Sequence, residues 1–467
     1  VIKMLSNISF QQRLNEANLT RPMWLLWLLS AGLIALDGFD FFIIGVALPL
    51  IEKDFGISAS QTGALAVAAI AGSLVGALTL GAITDKIGRQ SMLIIDIGIF
   101  LVASLGTALA WNIESLIFFR FLVGIAIGAD YPISVAYITE NVPERFRGQM
   151  VISAFSFQAV GALLGALVGI GVIWSFGQIY PNPELLIVSG WRWMLGIGLL
   201  LAVLVAVLRF QFLCESPSYY IAREEYEQAS HAASILLNES IEITPESDPP
   251  SCQPRLTYSA LFAPEYRSKT LLVTIPWFLQ DIATYGIGIF TPIIITTLAF
   301  AEEQDLSTQT INGALGSAFV DLFLILGFIV AIFLVDRLGR IPLQIIGFFG
   351  MALGLGLLAI ASSGNTVNLF LVFTGFIIFN LLMNAGPNST TFLLSGEVFP
   401  TSIKASGAGL AAAVAKSGAI LGTYAMPILK QSLGVSNLLL ILSLICILAA
   451  GFTYLFGNSL SAPKNYL

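Results

Sequence analysis

Twelve long apolar runs dominate this chain of 467 residues, each close to the ~20 residues a helix needs to cross a bilayer. The first six cover approximately 23–50, 60–83, 91–111, 114–138, 149–174 and 189–213. The second six cover approximately 269–298, 311–335, 342–362, 368–394, 404–428 and 434–456. A backbone in hydrocarbon must satisfy its own hydrogen bonds, so runs of this length fold as helices. The sequence therefore predicts an all-α membrane protein with twelve transmembrane helices. Only 10% of the residues are charged and 57% are hydrophobic, too little polar side chain to coat a soluble fold. The first run carries Asp37 and Asp40, is too long for the core of a leader peptide and has no small-residue cleavage site, so it is expected to persist as the first helix.

Polar residues concentrate in one internal stretch, 214–268. There EEYEQASHAASILLN has the pattern of an amphipathic helix and TPESDPPSCQPR that of a flexible linker. This divides the chain into an N-terminal six-helix half (1–213), a cytoplasmic linker (214–268) and a C-terminal six-helix half (269–467). With the termini and linker in the cytoplasm, sixteen of the 21 Lys and Arg residues fall on that side; Lys53, Arg192 and Lys430 fall outside, and Arg120 and Lys416 lie within spans. The positive-inside rule then predicts an N-in, C-in chain. An internal repeat supports the division, because one offset of 257 residues pairs Glu140 with Glu397, Pro143 with Pro400, Arg147 with Lys404, Gly161 with Gly418 and Gly165 with Gly422. GVALPLI and GIFTPII similarly pair Gly45 with Gly288 and Pro49 with Pro292. Two related halves imply a central cavity between them.

Several function classes are excluded early. A net charge of -7 offers no broad basic surface for nucleic acid. His231 is the one histidine, and Cys214, Cys252 and Cys446 have no pairing or metal spacing, so neither a metal nor a cofactor is expected. There is no GxxxxGK[ST] loop for ATP and no nucleophile–base–orienter set for an enzyme.

What remains distinctive is charge at membrane depth, which is costly and usually marks a pathway. Asp37 and Asp40 are spaced i, i+3 and share a helix face, with Gly38 between them allowing a close helix approach. Asp130 precedes Tyr131 and Pro132, whose ring loosens the helix beside the acid. Burial away from water favours the neutral form of a carboxyl, so such acids are candidate proton carriers. The other reading is a structural carboxylate locked to Arg120 or to backbone donors. In the seventh span Trp277, Asp281 and Tyr285 recur every four residues, so an indole, a carboxyl and a phenol line one strip, or else pack as ordinary aromatics. A carboxyl suits an anion site only if it is protonated or if the substrate donates a hydrogen bond to it. Lys416 lies deep in the eleventh span and needs a partner there; the repeat offset puts it beside the equivalent of Gln158, which could face the cavity or bridge helices. Asp96 and Asp321 receive no role from the sequence.

Two short loops match each other: GAITDKIGRQ (81–90) and VDRLGRI (335–341), although Ile332 stands where Gly81 stands in the first copy. With them come LDGFD (36–40), GADYP (128–132), a Trp-Phe-x-x-Asp-x-x-x-Tyr-Gly run (277–286), GPNSTTF (386–392), GEVFPT (396–401) and AKSGA (415–419). Together these resemble the phosphate:proton symporter family of the major facilitator superfamily. The resemblance implies a phosphate pocket at Tyr131, Gln158, Trp277, Asp281, Tyr285 and an Asn of the tenth span, Asn388 in preference to Asn384, with Lys416 close by. Asp37, Asp40, Asp130 and Asp281 are the expected proton-coupling acids. Asp85, Arg89, Glu140, Arg147, Asp336, Arg340, Glu397 and Lys404 are expected to form cytoplasmic gating pairs, Glu140 with Arg147 and Glu397 with Lys404. The expected activity is import of a small anion, most simply phosphate, with protons, by a monomer in a bacterial inner membrane. Sugar, polyol and organic-acid porters share Glu215-Ser216-Pro217 and GExFPT, so a different small substrate on the same fold is the alternative. A non-transporting nutrient sensor is the alternative from another class.

Overall fold

A computed structural model describes residues 9–87, 89–179, 183–212, 214–245, 247, 258–300, 305–363, 367–399 and 403–461. The side chains of 81–89, 131, 132, 136, 183, 258, 404, 405 and 458–461 lie outside that description. Every regular element among the described residues is helical. A short α1 (Phe10–Glu16) precedes α2 (Arg21–Phe55), α3 (Ala59–Ile87), α4 (Arg89–Ala108), α5 (Ile113–Asn141), α6 (Glu144–Ile179) and α7 (Trp191–Phe212). The linker carries α8 (Pro217–Ile221) and α9 (Tyr226–Leu237). There follow α10 (Arg267–Gly288), α11 (Thr291–Ala299), α12 (Leu306–Leu338), α13 (Arg340–Ser363), α14 (Leu369–Ala385), α15 (Pro387–Glu397) and α16 (Lys404–Ser461).

Local chemistry sets the ends. Thr20 caps α2 by accepting from the Met23 amide at 3.4 Å, and Gly56 closes it in the left-handed region (φ 62°) that a side chain would disfavour. Asn112 and Ser115 form a reciprocal capping box at α5. At α12, Ser307 and Thr308 hydrogen-bond the Asp305 carboxylate and hold it down to about 2.

Among the described residues ten helices are long and apolar enough to cross a membrane, α14 with α15 (Leu369–Glu397) counted as one, and α10 with α11 forms one further pair bent by 56°. The seventh run, expected as one helix, therefore breaks at residues 289–290. Pro292 removes an amide donor there, and Gly286 and Gly288 weaken the turns before it. The tenth run breaks likewise at Gly386 before Pro387. The last two runs join in one 58-residue α16 whose single non-helical residue is Gly434 (φ 77°, ψ 166°). The chain reverses there. Before Gly434 it runs parallel to α10, through Lys416 on Tyr285 and Lys430 on Thr297. After Gly434 it runs antiparallel to α13, with Ser436 on Ala359, Ser443 on Ala352 and Thr453 on Gln344.

The packing repeats. α2 packs on α6 as α10 packs on α16; α3 on α5 as α12 on α14; and α4 on α7 as α13 on α16. Contacts of α3 with α16 and of α6 with α12 close the two groups on each other. Small residues allow the approach that lipid-facing helices cannot drive by hydrophobicity. A Cβ on Gly161 would lie 1.9 Å from the Ala35 carbonyl oxygen, and one on Gly418 2.2 Å from that of Phe278. The sequence offsets that pair Gly161 with Gly418 and Gly45 with Gly288 also pair Ala35 with Phe278.

Outside the spans, α9 buries Ala229, Ala233, Leu236 and Leu237 against Phe10 and Leu14 of α1, Met23 and Leu26 of α2 and Ile133 of α5. The expected amphipathic helix is thus present, and α1 is an addition to it. Glu215 of the linker accepts from the Gln90 amide at 2.9 Å, and the Tyr137 hydroxyl donates to the Cys214 carbonyl. These contacts seat the linker on the ends of α4 and α5.

Candidate substrate and proton site

Buried polar groups gather at two places. Within α2–α7, Arg120 of α5 donates to the Asp40 carboxylate at 2.7 Å and to its backbone carbonyl at 3.0 Å. Both side chains are buried, so the pair is held by geometry and not by solvent screening. Asp130, also on α5, meets Arg209 of α7 at 3.2 Å, with the Ser134 hydroxyl at 3.2 Å; Arg209 also donates to the Leu93 carbonyl at 3.3 Å. Asp37 is fully buried, and neither of its carboxylate oxygens has a hydrogen-bond partner. Its charged neighbours are Asp130, Asp96, Asp40, Arg209 and, from the other group of helices, Lys416. Asp96 of α4 is buried too, with Oδ1 unpartnered. Four acids therefore share two guanidinium groups. Charging all four at once is costly in so low-dielectric an interior.

Arg209 was not legible as a member of this cluster. Four residues from the end of its run, it reads as an interface anchor on the cytoplasmic side. The available signal was Asp130 itself, a buried acid needing a cation.

Across the interface, Lys416 of α16 donates to the Tyr285 hydroxyl at 2.7 Å and lies 4.5 Å from that ring's centre and 5.7 Å from that of Phe41 on α2. Phe41 and Tyr285 meet edge to face at 5.9 Å. Asp281 is one turn before Tyr285 and buried, with Lys416 and Trp277 as its polar neighbours. Trp277 packs 5.2 Å from Phe392 of α15, which in turn lies 4.1 Å from Phe155 of α6. Gln158 is half-buried on α6, its carbonyl against Gly38, where a Cβ would come within 2.0 Å. Tyr131's side chain is outside the described residues.

The two asparagines fall into one chain with a residue the sequence reading passed over. Asn384 donates to the Leu324 carbonyl of α12 at 2.9 Å and accepts from Asn388 at 2.7 Å. Asn388 accepts from Gln280 of α10 at 3.1 Å, and Gln280 accepts from Thr391 at 3.3 Å. Gln280 is fully buried. Each amide's donor and acceptor ends are thereby assigned, and the half-buried Asn388 is the member nearest open space.

At the linker end, Arg340 bridges Asp336 at 2.9 Å and grips both oxygens of Glu397 at 3.1 Å. Arg147 does not pair with Glu140 as expected. Instead it donates to the Val142 carbonyl and the Gln11 side chain, both at 3.1 Å, because α1 folds back within its reach. The side chains of Asp85, Arg89 and Lys404 lie outside the described residues. At the opposite end, Gly45 abuts the Ile289 carbonyl and Gly63 that of Tyr424. A cleft of about 400 Å³ opens there, lined by Glu52, Thr62, Phe290, Met426 and Lys430 among others.

Residues 27–459 match the family model described as "Sugar (and other) transporter". An Escherichia coli (strain K12) chain, YaaU, named as a metabolite transport protein, is 31% identical over 417 residues, covering 89% of this chain and 87% of that one. An Oryza sativa subsp. japonica chain named inorganic phosphate transporter 1-2 is 28% identical, covering 83% of this chain and 80% of its own. Among solved structures, the partially occluded inward-open xylose transporter XylE from E. coli superposes with a TM-score of 0.73 at 21% identity, over 94% of this chain and 98% of that one.

Proposed function

Because the chain belongs to the sugar (and other) transporter family and has the all-helical major facilitator fold, we propose that it couples proton entry to import of a small anion, inorganic phosphate first among them. In this reading twelve spans form an N-terminal half (1–213) and a C-terminal half (269–467) around the cluster described above, joined by a cytoplasmic linker (214–268). Both termini lie in the cytoplasm, the membrane is a bacterial inner membrane and the monomer is the working unit.

The observation that carries the anion reading is the half-buried ammonium of Lys416 held by the Tyr285 hydroxyl, one turn from the buried Asp281 and beside Phe41 of the other half. An ammonium and a phenol offer donors to a phosphate oxygen, and Trp277, Gln158, Tyr131 and Asn388 complete the pocket. Asp281 fits the same pocket when it is protonated or when it accepts from an acidic phosphate hydroxyl. Occupancy by substrate and by proton then depend on each other, which is the linkage symport requires.

Asp37 and Asp130 carry the proton on the other half. Asp130 can exchange its bond to Arg209 for a proton, and Asp37 has no hydrogen-bond donor to give up. Asp40, clamped by Arg120, positions the first helix and joins the relay when that pair opens. The Asp336–Arg340–Glu397 bridge closes the cytoplasmic end while the cavity faces outward; such partly exposed pairs contribute only ~0–1 kcal/mol each, so opening is cheap.

The Gln280–Asn388–Asn384 chain favours a second reading, a sugar, polyol or organic acid as substrate, because neutral amides suit hydroxyl groups as well as phosphate oxygens. Uptake of labelled phosphate into proteoliposomes under an inward proton gradient separates the two. Accumulation that protonophore abolishes, and that phosphate or arsenate but not sugars or carboxylates compete away, supports phosphate symport. Folded protein that takes up no phosphate moves the substrate to the second class.

A further inference from the structure

Two buried acids have no part in the scheme above, Asp96 within the charged cluster and Asp321 away from it. Asp321 stands midway along α12, is 5% exposed, and takes one hydrogen bond, from the Ser317 hydroxyl at 3.3 Å one turn earlier on the same helix. α12 packs on α6, α14, α11, α13, α2 and α15. The charged residues of α6 are Glu144, Arg145 and Arg147 in its first turn; α13 contributes Arg340 and α15 Glu397, both at the linker end, and α11 and α14 have none. On α2, Asp37 and Asp40 are the buried acids, with Arg21, Glu52, Lys53 and Asp54 toward its ends. None of these pairs with Asp321, and Ser317 is its one polar influence. A bare carboxylate near the bilayer midplane with a single hydroxyl donor is costly, whereas a carboxylic acid is tolerated.

Its setting ties it to the pocket. On one side of Asp321 the Val320 carbonyl accepts from Asn380, and one turn on the Leu324 carbonyl accepts from Asn384, both at 2.9 Å. The segment that carries the acid is thus bolted to α14 at two points, and Asn384 passes directly to Asn388 at 2.7 Å. Any displacement of α12 on charging Asp321 reaches the substrate amide through two hydrogen bonds.

We propose that Asp321 is a further proton-coupling residue, seated in the C-terminal half in addition to the pocket acid Asp281, which binds one proton (carboxylate plus proton gives carboxylic acid) and releases it once per transport cycle. The inference rests on the proton-coupled reading above and deepens it.

Two measurements test it. Infrared difference spectra of the purified protein across pH should contain a carboxylic-acid carbonyl band that Asp321→Asn removes. Reversal potentials for labelled inorganic phosphate in proteoliposomes should lose one proton per phosphate in the same variant, lowering limiting accumulation about tenfold per pH unit of gradient. Ser317→Ala keeps the carboxyl and removes its donor, so it should keep the stoichiometry and shift the pH at which the band disappears. Thermal melting of both variants confirms that they fold. A band unaffected by Asp321→Asn, or a lost band with unchanged stoichiometry, overturns the proposal; the former leaves Asp321 in one protonation state across the pH range, and the latter makes it an acid that titrates outside the transport cycle. Wild-type flux insensitive to protonophore would instead overturn proton coupling itself, while the infrared band still reports whether Asp321 holds a proton.

Discussion

Among the described residues α2–α7 bury six charged side chains, Asp37, Asp40, Asp96 and Asp130 with Arg120 and Arg209, whereas α10–α16 bury two, Asp281 and Asp321, and add the amides Gln280, Gln344, Asn380 and Asn384. The helices of the two groups pair alike, Gly161 on Ala35 as Gly418 on Phe278, although α2 and α5 run unbroken where their counterparts break at residues 289–290 and at Gly386. Charges act over several ångströms and answer to protonation; amides act at hydrogen-bond distance and distinguish donors from acceptors. On the proposed reading the charged cluster answers mainly to protons and the amide chain to the substrate.

The largest expected effect breaks this contrast at Asp130. Asp130→Asn should abolish gradient-driven accumulation, read as protonophore-sensitive uptake at matched protein density; preserved accumulation would remove the residue from the relay. Next comes Arg120→Met, which strands Asp40 without its cation and should cost about 3–5 kcal/mol, most of it regained in Asp40→Leu/Arg120→Met. Denaturation of the three proteins in detergent measures this, and a single variant as stable as wild type would mean that Asp40 already holds a proton.

Gln280→Leu is the matching lesion in the amide bundle. It takes from the Asn388 side-chain carbonyl its amide donor, while Thr391 keeps the Pro387 carbonyl, and should cost about 1–3 kcal/mol. Its sharper signature is kinetic, a raised KM with proton coupling intact, so a lost coupling ratio would erase the division of labour. The smallest effect lies outside both bundles. Asp305→Ala removes the cap of α12 and should cost about 1 kcal/mol in thermal melts at neutral pH. Because the folded value of about 2 lies below the unfolded one of ~3.9, the contribution of Asp305 is complete above about pH 4 and disappears as pH falls through about 2, where variant and wild type should converge.

Much of the architecture is legible because apolar length and glycine spacing are local properties. The offset that pairs Gly161 with Gly418 could be read before any contact was known, and both glycines meet a carbonyl of the neighbouring helix. The breaks at residues 289–290 and at Gly386 were harder. An apolar run counted by hydropathy passes through a proline, although Pro292 and Pro387 mark both places. Asp37, Asp130, Asp281, Tyr285 and Lys416 stand out as polar groups in apolar surroundings. Gln280 does not, since its meaning depends on Asn388 and Thr391, more than a hundred residues further along the chain. Arg340 and Glu397 were both expected in the gating network, but with Lys404 as the partner of Glu397, and Arg147 turns to Gln11 because of α1, for which no expectation was formed.

The single residue that turns the chain within α16 has a consequence for helical phase. Before Gly434, the face bearing Lys416 and Gly422 must meet α10; after it, the face bearing Ser436, Ser443 and Thr453 must meet α13. With no slack between the two segments, one residue inserted beside Gly434 would rotate one face against the other by about 100°. Register there is a mechanical constant of the transporter, linking the azimuth of its buried lysine to the seating of its last helix.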